Sequence, residues 1–306
     1  MKRYRVCSFD FDSRATILDT EMKDEWEDKV KLQHRKNIKQ IESGIIEEFG
    51  VLNAKEKMDR FKEVGPKPFS IIAYHNLLLN QIRESYIQGA FYPALTSTCT
   101  LGERILNHLI LDLRDEYKNE SIKEENHPCK DCKEFNNLKE KGLIKTEFDI
   151  FTCKNCSNWN LMIDNLVKWN ILNSDVEELF KKLAKKWHKS IHFNPNTIPN
   201  LKADSLEAIE IFQEIIKKLF PAFGSCFIPT KGEFFLKKEL ESKPFIKKYY
   251  LPNCKLVSPF HEVKTVIPHF IIEDIPSVEE KEVTDEEFIK LREEFKKNGI
   301  LPKNVK

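Results

Sequence analysis

Residues 71–88 read IIAYHNLLLNQIRESYIQ, and this stretch decides the fold class. Its apolar side chains cover most of the circumference of a helix, which is typical of a helix at the centre of a bundle. The segment Gly65–Pro68 breaks the chain before this helix, and Ser70 stands where it can cap the first turn. Gly89 separates the helix from a second long one that we expect to end near Tyr117.

The helical period recurs on both sides of this pair. A long, highly charged helix with a sparse apolar stripe is expected from Asp19 to about Phe49. On the second bundle helix, the small residues Ala94, Ser97 and Gly102 would let neighbouring helices approach closely. Helical periodicity continues over residues 161–169, 174–192 and 203–220. The sequence therefore predicts a mainly α protein built around an antiparallel helical bundle.

Short strands are expected at both ends of the chain. Residues 3–18 alternate aromatic and β-branched side chains as a strand does, and further strand candidates are residues 223–235, 249–257 and 269–275. Thr284 and Glu287 have the spacing of a capping box that opens a charged final helix. We expect three regions, which are 1–65 with a strand and the long charged helix, 66–222 with the bundle, and 223–306 with a small α+β portion.

Two cysteine pairs interrupt the helical series. Cys129-Lys130-Asp131-Cys132 and Cys153-Lys154-Asn155-Cys156 have the spacing of a zinc ribbon. A gap of two residues lets both thiolates of a pair turn toward one centre, and two pairs supply the tetrahedral sulfur set that Zn²⁺ prefers. Four sulfurs close the coordination shell, so we predict a structural zinc in an insertion over residues 126–158. A redox role and the absence of any metal are the alternatives.

The overall charge argues against a chain-wide attraction to nucleic acid or anionic lipid. The sequence has 50 Lys and Arg residues against 49 Asp and Glu residues, so such binding needs a local patch. Acidic residues near Met1 exclude a secretory signal there, and no apolar run approaches the ~20 residues of a membrane span. We expect a cytoplasmic protein without a membrane partner, in which the scattered thiols are buried: Cys7, Cys99, Cys226 and Cys254.

The stretch 179–193, LFKKLAKKWHKSIHF, holds the residues that best suit chemistry. Its apolar residues fall on one helical face and its lysines on another, and His188 and His192 lie at the border between the faces. In the simpler interpretation the lysines form a solvated face and His192 hydrogen-bonds the backbone at the helix end. Metal binding by the two histidines is a further alternative, although no acidic third ligand is evident nearby.

The bundle resembles the HEPN superfamily, the higher eukaryotes and prokaryotes nucleotide-binding domain, because its penultimate long helix ends in a small residue followed by Ile191-His192-Phe193, then a loop and one more helix. Three segments also resemble a group of uncharacterised bacterial proteins of this kind, namely Tyr92-Pro93-Ala94-Leu95, Gly102-Glu103-Arg104 and Ser190-Ile191-His192-Phe193. The resemblance covers about residues 70–220, with the zinc segment added to the common bundle. It implies a homodimer that binds RNA or cleaves it without metal, in a pocket shared by two protomers, in bacterial stress or phage defence.

In active members of this family an arginine precedes the histidine, with four to six residues between them. His192 matches the histidine, and the positions allowed for the arginine hold Trp187, Lys186 and Lys185. An ammonium binds phosphate as a point charge but lacks the two-pronged contact of a guanidinium. The resemblance implies that His192 accepts the proton of a ribose 2′-hydroxyl while Lys186 or Lys185 offsets charge on the phosphate.

Further candidates for the pocket lie on the second bundle helix, where Arg104 and His108 are one turn apart and Glu103 is adjacent. Their spacing is one residue short of the family motif. We therefore expect an RNA-binding protein or endoribonuclease. The alternative is a non-catalytic protein–protein interaction module of the same fold, in which the ribbon and the basic helix dock a partner encoded by a neighbouring gene.

Two other enzyme classes are disfavoured by the residues. Asp10-Phe11-Asp12 has the spacing of an aspartyl phosphatase motif, but the repeated strand–helix units that such enzymes need do not follow it. The glycines form no phosphate-binding loop of the GxxxxGK or GxGxxG type, so a nucleoside triphosphatase is not expected.

Overall fold

The structure is a computed structural model, and it describes residues 1–6, 12, 14–117, 137, 140–141, 159–191, 197–221, 224–230, 232–266, 269–275 and 281–298. The four ribbon cysteines, Cys7 and His192 lie outside these residues, so the zinc ribbon and the role of His192 stay predictions. The chain divides into two compact units. We call residues 10–220 the helical unit, and residues 1–9 with 221–306 the sheet unit.

The described residues are mainly helical, as the sequence predicts, with a small sheet portion. The helices of the helical unit are α1 (Arg14–Asp19), α2 (Asp28–Phe49), α3 (Ala54–Glu63), α4 (Ala73–Ile87), α5 (Phe91–Leu113), α6 (Trp159–Lys168), α7 (Ser174–Ile191) and α8 (Thr197–Leu219). The predicted bundle helices correspond to α4 through α8. Tertiary packing supports these helices because each buries an apolar face in a shared core.

α5 lies at the centre of the helical unit and contacts α4, α6, α7 and α8. Gly102 makes this arrangement possible, because a Cβ atom there would lie 2.5 Å from Leu183 Cδ2 and 3.1 Å from Trp159 Cη2. The close approach expected at Gly102 is therefore present. Ala94 is also buried, whereas Ser97 is exposed and does not serve helix packing.

The first part of the helical unit differs from the sequence-based expectation. Residues 14–19 form α1 and not a strand, because the Asp12 carboxylate accepts a hydrogen bond from the backbone N–H of Arg14 at the start of the helix. α2 begins at Asp28, later than predicted, and it buries only Ile45 and Phe49, as a long solvated helix does. α3 has no counterpart among the predicted helices.

The sheet unit joins the two ends of the chain, as the sequence suggests. A sheet of order β2-β3-β1-β4 is formed by β1 (Arg3–Val6), β2 (Phe227–Thr230), β3 (Glu233–Leu236) and β4 (Cys254–Val257), with antiparallel neighbours. A separate antiparallel pair is formed by β5 (His261–Val266) and β6 (His269–Asp274), and the helices are α9 (Pro244–Tyr249) and α10 (Asp285–Asn298).

A capping box starts α10, the last helix of the sheet unit. The Thr284 N–H donates to Glu287 Oε2 at 2.9 Å, and the Glu287 N–H donates to Thr284 Oγ1 at 3.2 Å, which confirms the predicted capping box. The helix then packs Arg292 against the sheet, where its guanidinium donates to both carboxylate oxygens of Glu233 at 3.0 and 2.8 Å. This pair is buried, so each charge depends on the other.

The scattered cysteines divide into two kinds. Cys99 is buried in α5 as predicted, and burial raises the pKa of its thiol to about 12. Cys226 and Cys254 are only partly buried, which corrects the prediction for them. The reason is their position, because each stands at the end of an edge strand of the sheet.

Within the described ranges, no helix combines the length and the apolar character needed to cross a bilayer.

Candidate nucleic-acid interface on α4 and α5

α4 and α5 run in opposite directions and border an open groove of about 400 Å³. Its lining combines hydroxyl, amide and guanidinium groups with a few apolar side chains, and comprises Leu78, Gln81, Ile82, Ser85, Thr96, Ser97, Thr100, Leu101 and Arg104. We call this cavity the α4–α5 groove. It is polar enough to hold a hydrated ligand and lies on the surface of the helical unit.

Arg104 and His108 lie on one stripe of α5. Residues 97, 100, 104, 108 and 111 follow each other at three- or four-residue steps, which places them on the same side of an α-helix. Arg104 is exposed and lines the groove, and His108 is half-buried one turn further along. The guanidinium therefore lies at the groove, and the imidazole follows one helical turn away on the same side of α5.

Tyr74, the second residue of α4, holds the imidazole of His108. Tyr74 Oη lies 2.9 Å from His108 Nδ1, and the two rings meet edge to face with their centroids 5.9 Å apart. Burial raises the pKa of the Tyr74 hydroxyl, so it stays protonated at neutral pH. Because this contact uses Nδ1, the nitrogen left for a ligand is Nε2, which has no hydrogen-bond partner among the described residues.

A second histidine lies behind this pair and has a structural role. His75 is buried, its Nδ1 lies 2.9 Å from Ser70 Oγ, and its ring meets Phe220 edge to face at 4.8 Å. Burial lowers the pKa of His75 to about 3, so the ring is neutral over the physiological range. Ser70 Oγ also accepts the N–H of Ile72 just before α4. Ser70 therefore does not cap α4 as predicted, since the N-cap is Ile72 and no side chain caps the first turn, but it orders the chain before the helix together with His75.

Glu103 is adjacent to Arg104 in the chain but points about 100° away around the helix. It is half-buried, and burial raises the pKa of its carboxyl group. The residues that line the α4–α5 groove do not include it. Of the three candidates on α5, only Arg104 lines the groove, His108 lies one turn further along the same stripe, and Glu103 faces another side of the helix.

Lys186, one of the two lysines that the family motif would use, is held by α8. Its ammonium group donates to the carboxylates of Asp204 and Glu207, and its side chain is only 13% exposed. Burial lowers the pKa of Lys186, but the hydrogen bonds that its ammonium donates to these two carboxylates outweigh burial and raise it. A phosphate could reach this ammonium only in competition with two anionic partners. Lys185 is exposed.

Other lysines of α7 are also paired. Lys181 binds Glu177, and Lys182 lies 2.8 Å from Glu178, each one turn earlier on the same helix. Such pairs are typical of a solvated helix face. His188 is exposed and its ring meets Trp187 edge to face at 5.0 Å.

The described end of α7 lies far from His108. Tyr92 Oη donates to the Ser190 carbonyl at 3.4 Å, so the last turn of α7 packs beside the first turn of α5. Along the axis of α5, Tyr92 and His108 are about 24 Å apart, at about 1.5 Å per residue. Within one chain, the candidates on α5 and the C-terminal end of α7 therefore do not meet.

In the part of the chain that the structure describes, no group of three or more histidine, cysteine, aspartate or glutamate side chains is arranged to hold a metal ion. The four cysteines of the predicted zinc ribbon lie outside that part.

No protein-family model matches the chain, and no curated protein or solved structure matches it either. The resemblance to the HEPN superfamily thus remains a prediction carried by the short motifs around Tyr92, Gly102 and Ser190.

Sequence reasoning missed Tyr74 and the groove itself. Tyr74 and His108 stand 34 residues apart, and only the pairing of α4 with α5 brings them together. A weak signal was available, because Ser97 and Thr100 interrupt the apolar pattern at the same helical spacing as Arg104 and His108. A polar stripe on an otherwise apolar helix indicates a surface that the bundle leaves open.

Proposed function

We propose that the helical unit binds RNA along the α4–α5 groove and cleaves it without a metal ion, by attack of a ribose 2′-hydroxyl on the neighbouring phosphorus. The observation that carries this proposal is the placement of Arg104 beside His108 on one stripe of α5, with Tyr74 fixing one nitrogen of the imidazole. A cation for the phosphate and an oriented proton carrier for the hydroxyl are the groups that this reaction requires.

Arg104 provides the phosphate contact. A guanidinium presents fixed, planar donors that bind two phosphate oxygens at once, and it stays charged at any working pH. Beside it, Gln81, Ser97 and Thr100 add neutral donors and acceptors to the groove. These groups suit the sugar hydroxyls and base edges of a single strand, which is the form of RNA whose bases are accessible.

His108 provides proton transfer. With Nδ1 protonated and donating to Tyr74 Oη, the unprotonated Nε2 takes the proton of the 2′-hydroxyl as the bond from O2′ to phosphorus forms, and the bond from phosphorus to O5′ breaks. The imidazolium then returns the proton to the leaving 5′-oxygen, while Arg104 offsets the charge on the phosphate oxygens. The products are a 2′,3′-cyclic phosphate and a 5′-hydroxyl. Tyr74 is a positioning residue, because it acts on the imidazole through Nδ1.

His192 and Lys185 enter the proposal through the family resemblance. The described end of α7 lies far from His108 in one chain, and the resemblance implies a pocket shared by two protomers. In this arrangement the α5 pair of one protomer would meet His192 of a second copy. Lys186 would then keep its ion pairs with α8 and support the helix that carries His192.

Binding is tested with a short fluorescein-labelled single-stranded RNA, whose anisotropy is followed at several salt concentrations. Arg104→Met should weaken binding about three- to tenfold and reduce the salt slope by about one, as expected for the loss of one phosphate contact. Arg35→Met, which removes an exposed arginine of α2, is the matched control and should leave affinity unchanged. Equal weakening by both variants would remove the groove from the binding surface.

Cleavage is tested in EDTA, with products resolved by mass spectrometry. Wild type should release ends with a 2′,3′-cyclic phosphate, and His108→Ala should lower the rate by about 100-fold or more while RNA still binds. If only His192→Ala abolishes cleavage, His192 is the acid–base residue and the residues of α5 only bind RNA. Wild type that binds RNA but never cleaves it would refute the enzyme, and wild type that does neither would refute the whole proposal.

A second candidate function is non-catalytic association through the same face. Leu77 of α4 and Leu111 of α5 are 58% and 48% exposed, and exposed leucines beside a polar groove are typical of an interface. The occupant we propose is a second copy of this chain. Sedimentation should show a dimer that Leu77→Asp with Leu111→Asp converts to a monomer. Leu32→Asp, on α2 and 52% exposed, should not change it.

Further parts of the proposal rest on the resemblance and the sequence. They are a HEPN-like bundle, a structural zinc held by the four cysteines of residues 126–158, a cytoplasmic location, a role in bacterial stress or phage defence, and a protein partner from a neighbouring gene.

A further inference from the structure

The antiparallel pair of β5 and β6 forms a hairpin whose base is anchored in the sheet unit. Ile272 of β6 packs in the core of that unit, and His261 at the start of β5 is buried. Residues 262–264 of β5, which follow directly, are exposed. An already folded strand therefore lies at the surface, and a partner that binds it would not have to order it.

The ladder between the two strands shows which backbone groups of β5 face outward. The N–H of Ile275 donates to the carbonyl of Phe260 at 2.9 Å, which makes these two residues a hydrogen-bonded pair in the register of the hairpin. Hydrogen-bonded and non-hydrogen-bonded pairs alternate along an antiparallel ladder. The even-numbered residues of β5 therefore bond β6, whereas the N–H and C=O groups of His261 and Val263 point to the outer edge.

Side chains cap the edges of this hairpin at two other positions. On β5, Arg292 of α10 donates to the carbonyl of His261 at 2.6 Å, and on β6, Lys255 donates to the carbonyl of Ile272. Val263 differs, because among the described residues nothing bonds its outward N–H and C=O, and its side chain is 39% exposed. An exposed strand edge of this kind is a template for pairing with another extended chain.

The charged side chains on either side of Val263 are not balanced within the hairpin. Glu262 lies directly opposite Glu273 in the ladder, and like charges in this position are destabilising. Lys264 binds Glu273 at 2.6 Å. Within the part of the chain that the structure describes, the Glu262 carboxylate forms no ion pair. A cation beside Glu262 on a further strand would compensate this charge.

We infer that the outer edge of β5 binds an extended peptide segment of another protein as an added antiparallel strand. One residue of the segment forms both main-chain hydrogen bonds with Val263. The segment carries a lysine or arginine opposite Glu262, an aliphatic residue opposite Val263 and an acidic residue opposite Lys264. The edge belongs to the sheet unit and shares no residue with the α4–α5 groove, so it is independent of the RNA proposal.

A second copy of this chain fits the edge less well, although its own residues 262–264 have the same order of charges. Antiparallel pairing centred on Val263 would place residue 265 of the copy opposite His261. There Arg292 already bonds the outward carbonyl. A peptide can end or turn away before that point, whereas β5 of a copy continues to Val266.

Three end-blocked, fluorescein-labelled peptides test the inference on the full chain by fluorescence anisotropy. Each has a central valine in a frame of threonines, and the residues before and after the valine are Glu and Lys, Lys and Glu, or Glu and Glu. In antiparallel pairing the Glu-Val-Lys peptide places its lysine opposite Glu262 and its glutamate opposite Lys264. It should bind saturably and about tenfold more tightly than the Lys-Val-Glu peptide. No saturable binding, or an equal or reversed preference, would overturn the inference.

Glu262→Lys should change the preferred peptide. With lysines on both sides of Val263, the Glu-Val-Glu peptide should bind about fivefold more tightly than the Glu-Val-Lys peptide. The substitution also removes the like-charge pair with Glu273, so it should not weaken the hairpin. Glu294→Lys makes the same change at an exposed position of α10 and should leave the preference of wild type. An unchanged preference in Glu262→Lys would place the peptide outside this edge.

The main-chain bonds are tested with modified peptides, so this experiment does not depend on the folding of any variant. N-methylation of the central valine of the Glu-Val-Lys peptide removes the N–H that donates to the Val263 carbonyl, and saturable binding should be lost. N-methylation of the adjacent lysine removes an N–H that points away from β5 and should change affinity by less than about twofold. Equal effects of the two methyl groups would exclude an added strand.

Sedimentation of the full chain tests the other occupant. Wild type and Glu262→Lys should have the same oligomeric state, because the edge is not used between copies. An assembly that Glu262→Lys dissociates and Glu294→Lys does not would assign the edge to a second copy and overturn the inference.

Discussion

The hydroxyl of Tyr74 lies 2.9 Å from Nδ1 of His108, across the interface between α4 and α5. This contact fixes the imidazole plane and leaves Nε2 as the nitrogen for a ligand. A histidine oriented in this way resembles the general acid–base groups of enzymes, in which a second side chain holds the ring through the nitrogen that does not react.

Tyr74→Phe should free the His108 ring while keeping the aromatic packing. Cleavage of RNA should slow about fivefold, which corresponds to the loss of one hydrogen bond of about 1 kcal/mol, and RNA affinity should not change. The ¹⁵N shifts of the His108 ring should report a new tautomer balance. Tyr86→Phe is the matched control on α4, because its hydroxyl donates to Glu63 instead. Unchanged His108 shifts in Tyr74→Phe would contradict the positioning role.

Gly102→Ala should destabilise the helical unit by about 1–3 kcal/mol, the usual effect of forcing atoms into a packed core. The new Cβ would lie 2.5 Å from Leu183 Cδ2. Gly44 lies inside α2 with no atom within 4 Å of an added Cβ, so Gly44→Ala should stabilise by about 0.5–1 kcal/mol. Urea unfolding measures both. Equal stability of the two variants would show that α5 does not pack closely on α7.

His75 should make the stability of the helical unit depend on pH. Its folded pKa of about 3 lies below the unfolded value of about 6.5. The unfolded chain therefore binds the proton first as pH falls, so this stabilisation is complete above about pH 6.5 and decreases below it. Between pH 7 and pH 5 this group alone should remove about 2 kcal/mol.

His75→Asn, which does not titrate, provides the comparison. The variant should be less stable at pH 7, but it should lose about 2 kcal/mol less than wild type on going to pH 5. All four tryptophans lie in the helical unit, so their fluorescence during urea unfolding reports on that unit. The same pH dependence in both proteins would show that His75 is charged in the folded state.

Lys186→Met should lower stability by about 1–3 kcal/mol, because it leaves Asp204 and Glu207 without their half-buried cation. RNA affinity should remain that of wild type. Lys182→Met is the control on the same helix, because its pair with Glu178 is exposed and its loss should leave stability nearly unchanged. A loss of RNA binding without a loss of stability would instead give Lys186 the phosphate role that the family motif suggests.

Zinc should be found at about one ion per chain in freshly purified protein, by elemental analysis, if the four cysteines form a closed site. Cys153→Ser should lose the metal and unfold the local segment, because binding and folding of such ribbons are coupled. Cys226→Ser removes a partly buried thiol of the sheet unit and should keep the zinc. Protein without zinc would refute the ribbon.

The helices that the sequence could predict are those with a complete local signal. The run over residues 71–88 is apolar around most of its circumference and forms α4. Thr284 and Glu287, three residues apart, form the capping box that starts α10. α1 and α3 lacked such a signal. The helix at Arg14 depends on one hydrogen bond that the Arg14 N–H donates to the Asp12 carboxylate, which an alternating pattern of residues cannot reveal.

The sequence allowed individual residues of the candidate site to be chosen, but not the way in which they are arranged. Arg104 and His108 could be chosen because they are one turn apart on an expected helix. Their neighbours could not, because the groove depends on which helices pair. For the same reason Lys186 resembled a solvent-exposed cation in the sequence, and the structure shows its carboxylate partners on α8.

From its sequence alone, this chain could be predicted to be mainly helical, with its central helices at the positions that the structure shows. These properties follow from the periodicity of apolar residues and from hydrogen bonds between residues a few positions apart. Only the tertiary structure decided which polar groups meet. Tyr74 reaches His108, and Arg83 reaches Gln213 130 residues later, because helix packing brings together side chains whose separation along the chain carries no information about their distance in space.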